Sequence, residues 1–365
     1  MRVFCIFITA IIFIAGPLQA QVQKNSFSII GYYSGDAKSV DAYPVEKLTH
    51  LIYSFCHLRG NKMVVDTYKD TLRLQHLVTL KQRNPSLKII LSIGGWGGCA
   101  PCSAVFNKAE GREEFAASVK ALNSYFKTDG IDLDWEYPSI EGYPGHQYLP
   151  ADKHNFTLLL QALRKSLGKT PEISFAAGGF TSFLQSSVEW NTIAPLVNKV
   201  NLMSYDLTNG YSTTSGHHTP LYSTPQLKES ADNAVQYLDS IGFPLNKLVI
   251  GAATYGRIFE IFNNANNGLY QPCKFQRGLS FKSINLDSLQ KDGYTYYWDD
   301  IAKAPYLYNA SKKLLLTYDN GKSIALKTQY AIYKKLNGIM FWELAEDKTT
   351  NGLLDMMYTT AHPAN

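Results

Sequence analysis

Residues 129–138 read DGIDLDWEYP, four acids threaded through an apolar run. Asp129 opens the stretch, and Asp132, Asp134 and Glu136 then alternate with Ile131, Leu133 and Trp135. Side chains on a strand have a period of two, so 132, 134 and 136 share one face and the three apolar residues share the other. In a closed barrel the acidic face points into the lumen, with successive carboxyls about 7 Å apart and stacked towards the C-terminal mouth. Like charges that close cannot all ionise, so at least one proton is shared. The outermost carboxyl, Glu136, reads as an acid able to donate near neutral pH. Asp129 precedes the stacked face and reads as the residue that frames the start of the strand. A solvated acidic loop would not interleave Ile, Leu and Trp. A divalent-metal site stays open, although no His partner is evident.

Working outward, short apolar runs recur at 26–33, 48–55, 87–95, 130–136, 172–179, 199–206, 247–255 and 337–344. Eight buried strands separated mostly by helix-length segments predict a closed parallel sheet, a (β/α)8 TIM barrel. Residues 70–83, 111–127 and 153–167 carry apolar stripes at helical spacing and are expected to pack outside it. The interval before strand eight is too long for one crossover helix. Its Tyr-, Asn- and Gly-rich part, 259–316, is expected to form a small α+β insertion domain, followed by a delayed helix at 323–336. The expected organisation is therefore a leader at 1–20, barrel at 21–258, insertion at 259–316, and the completed barrel at 317–365.

The leader is read from Arg2, an apolar run over 3–15, and small residues ending at Ala20. The run is shorter than the ~20 residues a membrane span requires, so stable insertion is not expected. Loss of residues 1–20 removes Arg2, and the formal charge of +5 becomes +4. That small, diffuse charge argues against a nucleic-acid partner. Four cysteines follow the leader, Cys56, Cys99, Cys102 and Cys273. CAPC at 99–102 lacks a matching Cys/His pair for zinc, so structural disulfides are expected, and Cys56 with Cys99 or Cys102 is the pairing that strand order suggests. His217 and His218 read as exposed loop histidines rather than metal ligands.

DGIDLDWEYP resembles the DGxDxDxE signature of glycoside hydrolase family 18 chitinases, with every position filled. LSIGGWG (91–97), MSYD (203–206), TYGR (254–257) and MFWEL (340–344) resemble the family's segments on strands three, six, seven and eight, and GYY (31–33) and YSF (53–55) match strands one and two. The leader predicts export, to the periplasm or the medium, and a monomer is expected; the resemblance implies a chitinase that cleaves β-1,4 bonds beside N-acetylglucosamine with retention, the substrate's acetamido group acting as nucleophile. It implies no cofactor and no metal, and chitin or chito-oligosaccharides as partners. Carried across, Glu136 is the acid and then the base, Asp134 orients the acetamido group, Asp132 shares its proton, and Tyr205 holds the acetyl carbonyl. Asp206 and Met203 fall at sugar-contacting positions, and Arg257 either bonds a substrate carbonyl or pairs with an acid. Tyr32 and Ser92 are expected to hold Asp132, and Trp342 to floor the distorted sugar. Trp96, Tyr211, Tyr297 and Trp298 are candidate stacking platforms or simply core. Two alternatives stand beside this reading: an endo-β-N-acetylglucosaminidase acting on N-glycan cores, and a non-catalytic chitin-binding lectin.

Overall fold

The computed structural model describes residues 27–363; the expected leader at 1–20 lies outside the described residues. Eight parallel strands close on themselves in chain order: Ser28–Tyr33, His50–Arg59, Lys88–Gly94, Gly130–Asp134, Glu172–Gly178, Lys199–Met203, Leu248–Ala253 and Gly338–Trp342. Strand one pairs with both strand two and strand eight, which removes the sheet edges. The barrel predicted from the run of apolar segments is thus the observed one.

Two apolar clusters follow from strand alternation. Outward-facing residues such as Ile131, Leu133, Ile173 and Leu202 pack beneath the helices Tyr68–Thr79, Ala109–Phe126 and Asp152–Leu167. Inward-facing Ile30, Ile52, Ile90, Val249 and Met340 fill the lumen. Polar residues occupy the two ends of that lumen. At the N-terminal end Glu172 accepts from Lys199 Nζ at 2.7 Å, meets His50 Nε2 at 3.0 Å and bonds Lys88. Each of these four begins its strand, so the network plugs the base while the carboxyl ladder faces the mouth. Burial alone would raise the Glu172 carboxyl, but His50 and Lys199 overcome it and hold it well below the usual range.

Strand four is shorter than read. It ends at Asp134, and Glu136 stands just beyond it. Its start is framed by Asp129, whose Oδ2 accepts from Ile89 N at 2.7 Å and pairs with Lys81 at 2.6 Å.

Between strands seven and eight the chain builds a second, antiparallel sheet. Its order is Cys273–Ser280, Tyr255–Ile261, Leu314–Tyr318, Ala304–Asn309 and Thr295–Asp299, with one short helix, Leu286–Lys291. The sheet begins at Tyr255, four residues before the boundary read at 259, because one residue, Thr254, separates its first strand from barrel strand seven. Alternation there gives each face its own apolar cluster, Phe259, Tyr306 and Leu315 on one and Ile258, Leu307 and Leu316 on the other.

The cysteine expectation is corrected. Cys99 bonds Cys102, while Cys56 and Cys273 are buried free thiols. Cys56 sits on the outward, helix-covered face of strand two, whereas Cys99 and Cys102 close a tight turn on each other after strand three.

Candidate active site

The ladder is built by register. Ser92 of strand three, Asp132 of strand four and Ser174 of strand five lie side by side. Asp132 is fully buried and accepts four hydrogen bonds: Ser174 Oγ at 2.6 Å, Ser92 Oγ at 3.0 Å, and Tyr32 Oη and Asn201 Nδ2 at 3.1 Å each. Burial raises its carboxyl above the usual range, against four donors that favour the anion. Tyr32 and Ser92 therefore stand where the sequence reading put them; Ser174 and Asn201 complete the cradle and were not anticipated. Small polar residues at inward positions of strands five and six were the available signal.

One level higher, Asp134 is buried beside Gly94, whose φ is +102°. A side chain at Gly94 would meet Asp134 O at 2.1 Å, so glycine permits the approach of the two strand ends. Asp134 Oδ1 is buried without a hydrogen-bond partner. Burial first, then the charges of Glu136 and Asp132, push its carboxyl well above the ordinary value. Burial and its two acidic neighbours push Asp134 towards its protonated form, above an Asp132 that four donors satisfy, and so two stacked acids are accommodated.

Glu136 is half-buried at the mouth, in a recess formed with Cys99, Trp135, Tyr137 and Gly142. Burial, with a further rise from the Asp206 charge, lifts its carboxyl to about 7. Asp206 is itself held ionised. Burial would raise it, but His218 and Arg257 overcome that and keep the carboxyl far below its usual range. Arg257 grips both oxygens, with Nη2 to Oδ2 at 2.5 Å, and His218 Nδ1 lies 3.5 Å from Oδ1. Asp206 and Arg257 are thus joined to each other, so Arg257 takes the acid-pairing role that the sequence offered beside a substrate contact.

The histidine expectation is overturned. His217 and His218 are both fully buried, because the second sheet folds over their loop; His217 Nε2 pairs with Asp299 Oδ2 at 3.0 Å. Tyr205 lies over Gly251, where any Cβ would stand 2.9 Å from its ring, and its hydroxyl points towards Met340 Sδ at 3.9 Å. Met203 joins the same lumen cluster. Trp342, half-buried, stacks on Phe55 with centroids 5.5 Å apart and tilts against Tyr32 at 5.8 Å. The following Glu343, whose side chain was not assigned from sequence, receives Ser34 N and Ser34 Oγ, each at 2.6 Å.

Trp96, Tyr143 and Tyr211 come from the loops after strands three, four and six and meet at the surface, with Trp96 5.6 Å from Tyr143 and 6.2 Å from Tyr211. Tyr297 and Trp298 belong elsewhere. Tyr297 stacks on Tyr306 at 5.0 Å, and Trp298 lines a separate recess of about 400 Å³ with Lys322 3.8 Å above its ring.

Asp132 and Asp134 on the strand and Glu136 just beyond its end bring three carboxyls to the mouth of a parallel barrel, the outermost lifted to about 7 beside exposed aromatic rings, an arrangement suited to proton transfer at a site lined by flat apolar faces. The sequence model of glycosyl hydrolases family 18 matches residues 28–347. Chitinase A1 of Niallia circulans is 36% identical over 316 residues, 79% of this chain and 45% of that protein. Chitinase 1 of Aphanocladium album is 30% identical over 371 residues, 92% of this chain and 83% of the relative. Among solved structures, the family 18 N-acetylglucosaminidase from Paenibacillus barengoltzii superposes with a TM-score of 0.82 at 32% identity, over 92% of this chain and 100% of that one. The chain belongs to glycosyl hydrolases family 18. It spans less than half the length of the Niallia protein.

Proposed function

We propose that the protein is an exported chitinase that hydrolyses β-1,4 bonds between N-acetylglucosamine residues by substrate-assisted retention. The observation that carries this reading is the graded ladder: Asp132 held by four donors, Asp134 buried with an oxygen that no protein group donates to, and Glu136 at the mouth with its carboxyl lifted to about 7. An acetamido N–H supplies the donor that Asp134 lacks. Glu136 gives its proton to the leaving glycosidic oxygen as the acetamido carbonyl oxygen attacks C1 and the C1–O bond breaks. Asp134, turning to the acetamido N–H, passes its proton to Asp132 and as an anion stabilises the cationic ring. Glu136, now a carboxylate, then takes a proton from the water that attacks C1, which restores the acid and retains the configuration. Tyr205 orients the acetyl group, Trp342 lies under the sugar face, and the Asp206–Arg257 pair borders the neighbouring sugar. Met203 lines the pocket beneath. Residues 255–318 act as an inserted domain that walls the cleft, and residues 1–20 direct export.

A second reading keeps this chemistry and changes the substrate to the chitobiose core of N-glycans, since the same three carboxyls serve either sugar chain. Chitotetraose and an N-glycosylated glycoprotein, digested in parallel and analysed by mass spectrometry, separate the two. Release of diacetylchitobiose is expected. Glycan release without chitotetraose cleavage reverses the preference, and sugar binding with no turnover returns the lectin alternative.

The Asp206 charge gives a pH prediction. Asp206 raises the Glu136 carboxyl, so Asp206→Asn lowers it, and the alkaline limb of kcat/KM moves to lower pH by about half a unit or more. A pH profile of both proteins checks the sign; an unmoved limb would remove Asp206 from the account.

A further inference from the structure

We infer that the Cys99–Cys102 disulfide is a positioning element for substrate binding, holding the glycine-rich loop that presents Trp96 to the cleft. The inference rests on the reading of Trp96 as a sugar-contacting residue.

The loop leaves strand three at Gly94, and Gly94, Gly95 and Gly97 all have positive φ, at 102°, 79° and 87°. Gly98 N donates to Gly95 O at 2.8 Å, so residues 95–98 form a turn with Trp96 at its tip and Gly97 where a left-handed residue is required. Gly98 has no room for a side chain, since a Cβ there would lie 2.0 Å from Gly94 O. Glycines at 94, 95, 97 and 98 make this the segment with the most backbone freedom to lose on ordering.

Something must hold the loop at both ends. At the first, Gly95 N donates to Asp134 O at 2.9 Å. At the second stands the disulfide, with Cα atoms 5.2 Å apart. Cys102 is fully buried at the head of the helix Cys102–Phe106, and Phe106 packs on Trp135 at 5.5 Å. Cys99 lines the recess of Glu136. The bond therefore fastens the free end of the loop to the core that carries the catalytic strand end. Trp96 is 47% exposed, and its nearest companions at the surface, Tyr143 and Tyr211, are 39% and 64% exposed. Half-buried Tyr137 is a third ring near the indole, at 6.4 Å, and the backbone of the loop decides whether Trp96 reaches all three.

Opening the bond leaves the carboxyl ladder in place and blurs the Trp96 platform. Binding that is equal in ground and transition states is then lost, which raises KM and spares kcat. In the Cys99→Ser/Cys102→Ser double variant, KM for chitotetraose is expected to rise about fivefold, with kcat within about twofold of wild type. Added to Trp96→Ala, the same pair of substitutions should change KM no further, because both act on one contact. Treating the wild type with dithiothreitol reaches the same state without mutation: the S–S bond takes two electrons and two protons, and the dithiol closes to its cyclic disulfide. Its KM should match that of the double variant. An unchanged KM in the double variant, or an effect that adds in full to Trp96→Ala, overturns the inference. If the wild type does not cleave chitotetraose, the functional reading fails by itself. Proteolysis within 94–102 then decides the disulfide's role: faster cutting of the double variant supports it, and equal rates reject it.

Discussion

Glu136→Gln is expected to lower kcat on chitotetraose by about 10²- to 10⁴-fold, the range that loss of a general acid and base typically costs. The amide keeps the shape of the side chain and loses the proton, so the defect falls on chemistry and not on binding. Stability moves the other way. A carboxyl lifted to about 7 in the folded protein from its ordinary value of 4.5 is destabilising once the pH exceeds that lower value, and fully so above 7. The neutral amide removes this penalty, so at pH 8 the variant's Tm should equal or exceed that of the wild type. Steady-state kinetics and a thermal melt on one preparation check both halves. A large drop in Tm alongside the lost activity would mean that Glu136 supports the fold.

Asp134→Asn should cost about 10²- to 10³-fold in kcat, the scale of losing one preorganised charge from the reacting centre. The amide oxygen can still accept from an acetamido N–H, so KM should change little. What it lacks is a proton to pass to Asp132 and a negative charge to set against the cationic intermediate. The observation that motivates this expectation is Oδ1, buried in the resting site with no protein donor, where buried carboxylate oxygens are ordinarily hydrogen-bonded. Kinetics on chitotetraose test it; a variant within a few-fold of wild-type kcat would return Asp134 to a structural place.

The barrel was legible because its signal is local. Each strand is a short apolar run, and the alternation in DGIDLDWEYP fixes which acids face inward before any partner is known. Tyr32 and Ser92 followed from the motifs around them. What the sequence hid depends on contacts between distant segments. Arg257 reaches Asp206 across 51 positions, and His217 reaches Asp299 across 82. A His–His pair in a Gly-, Ser- and Thr-rich loop reads as exposed until a second sheet covers it. Cys56 has an outward-facing position on strand two and is a free thiol among the described residues, whereas Cys99 and Cys102 meet within one turn; spacing along the chain favours neither arrangement until the strand faces are assigned. Glu136 was placed on the strand by the same alternation that found it, and the strand's end at Asp134 is what frees it to reach the cleft.

In the proposed mechanism the substrate's acetamido group attacks C1 while Glu136 supplies and recovers the proton. Proton NMR during the first moments of chitotetraose hydrolysis tests it most directly. The new reducing end is expected to form as the β-anomer and only later to mutarotate. First accumulation of the α-anomer would contradict neighbouring-group attack at this site.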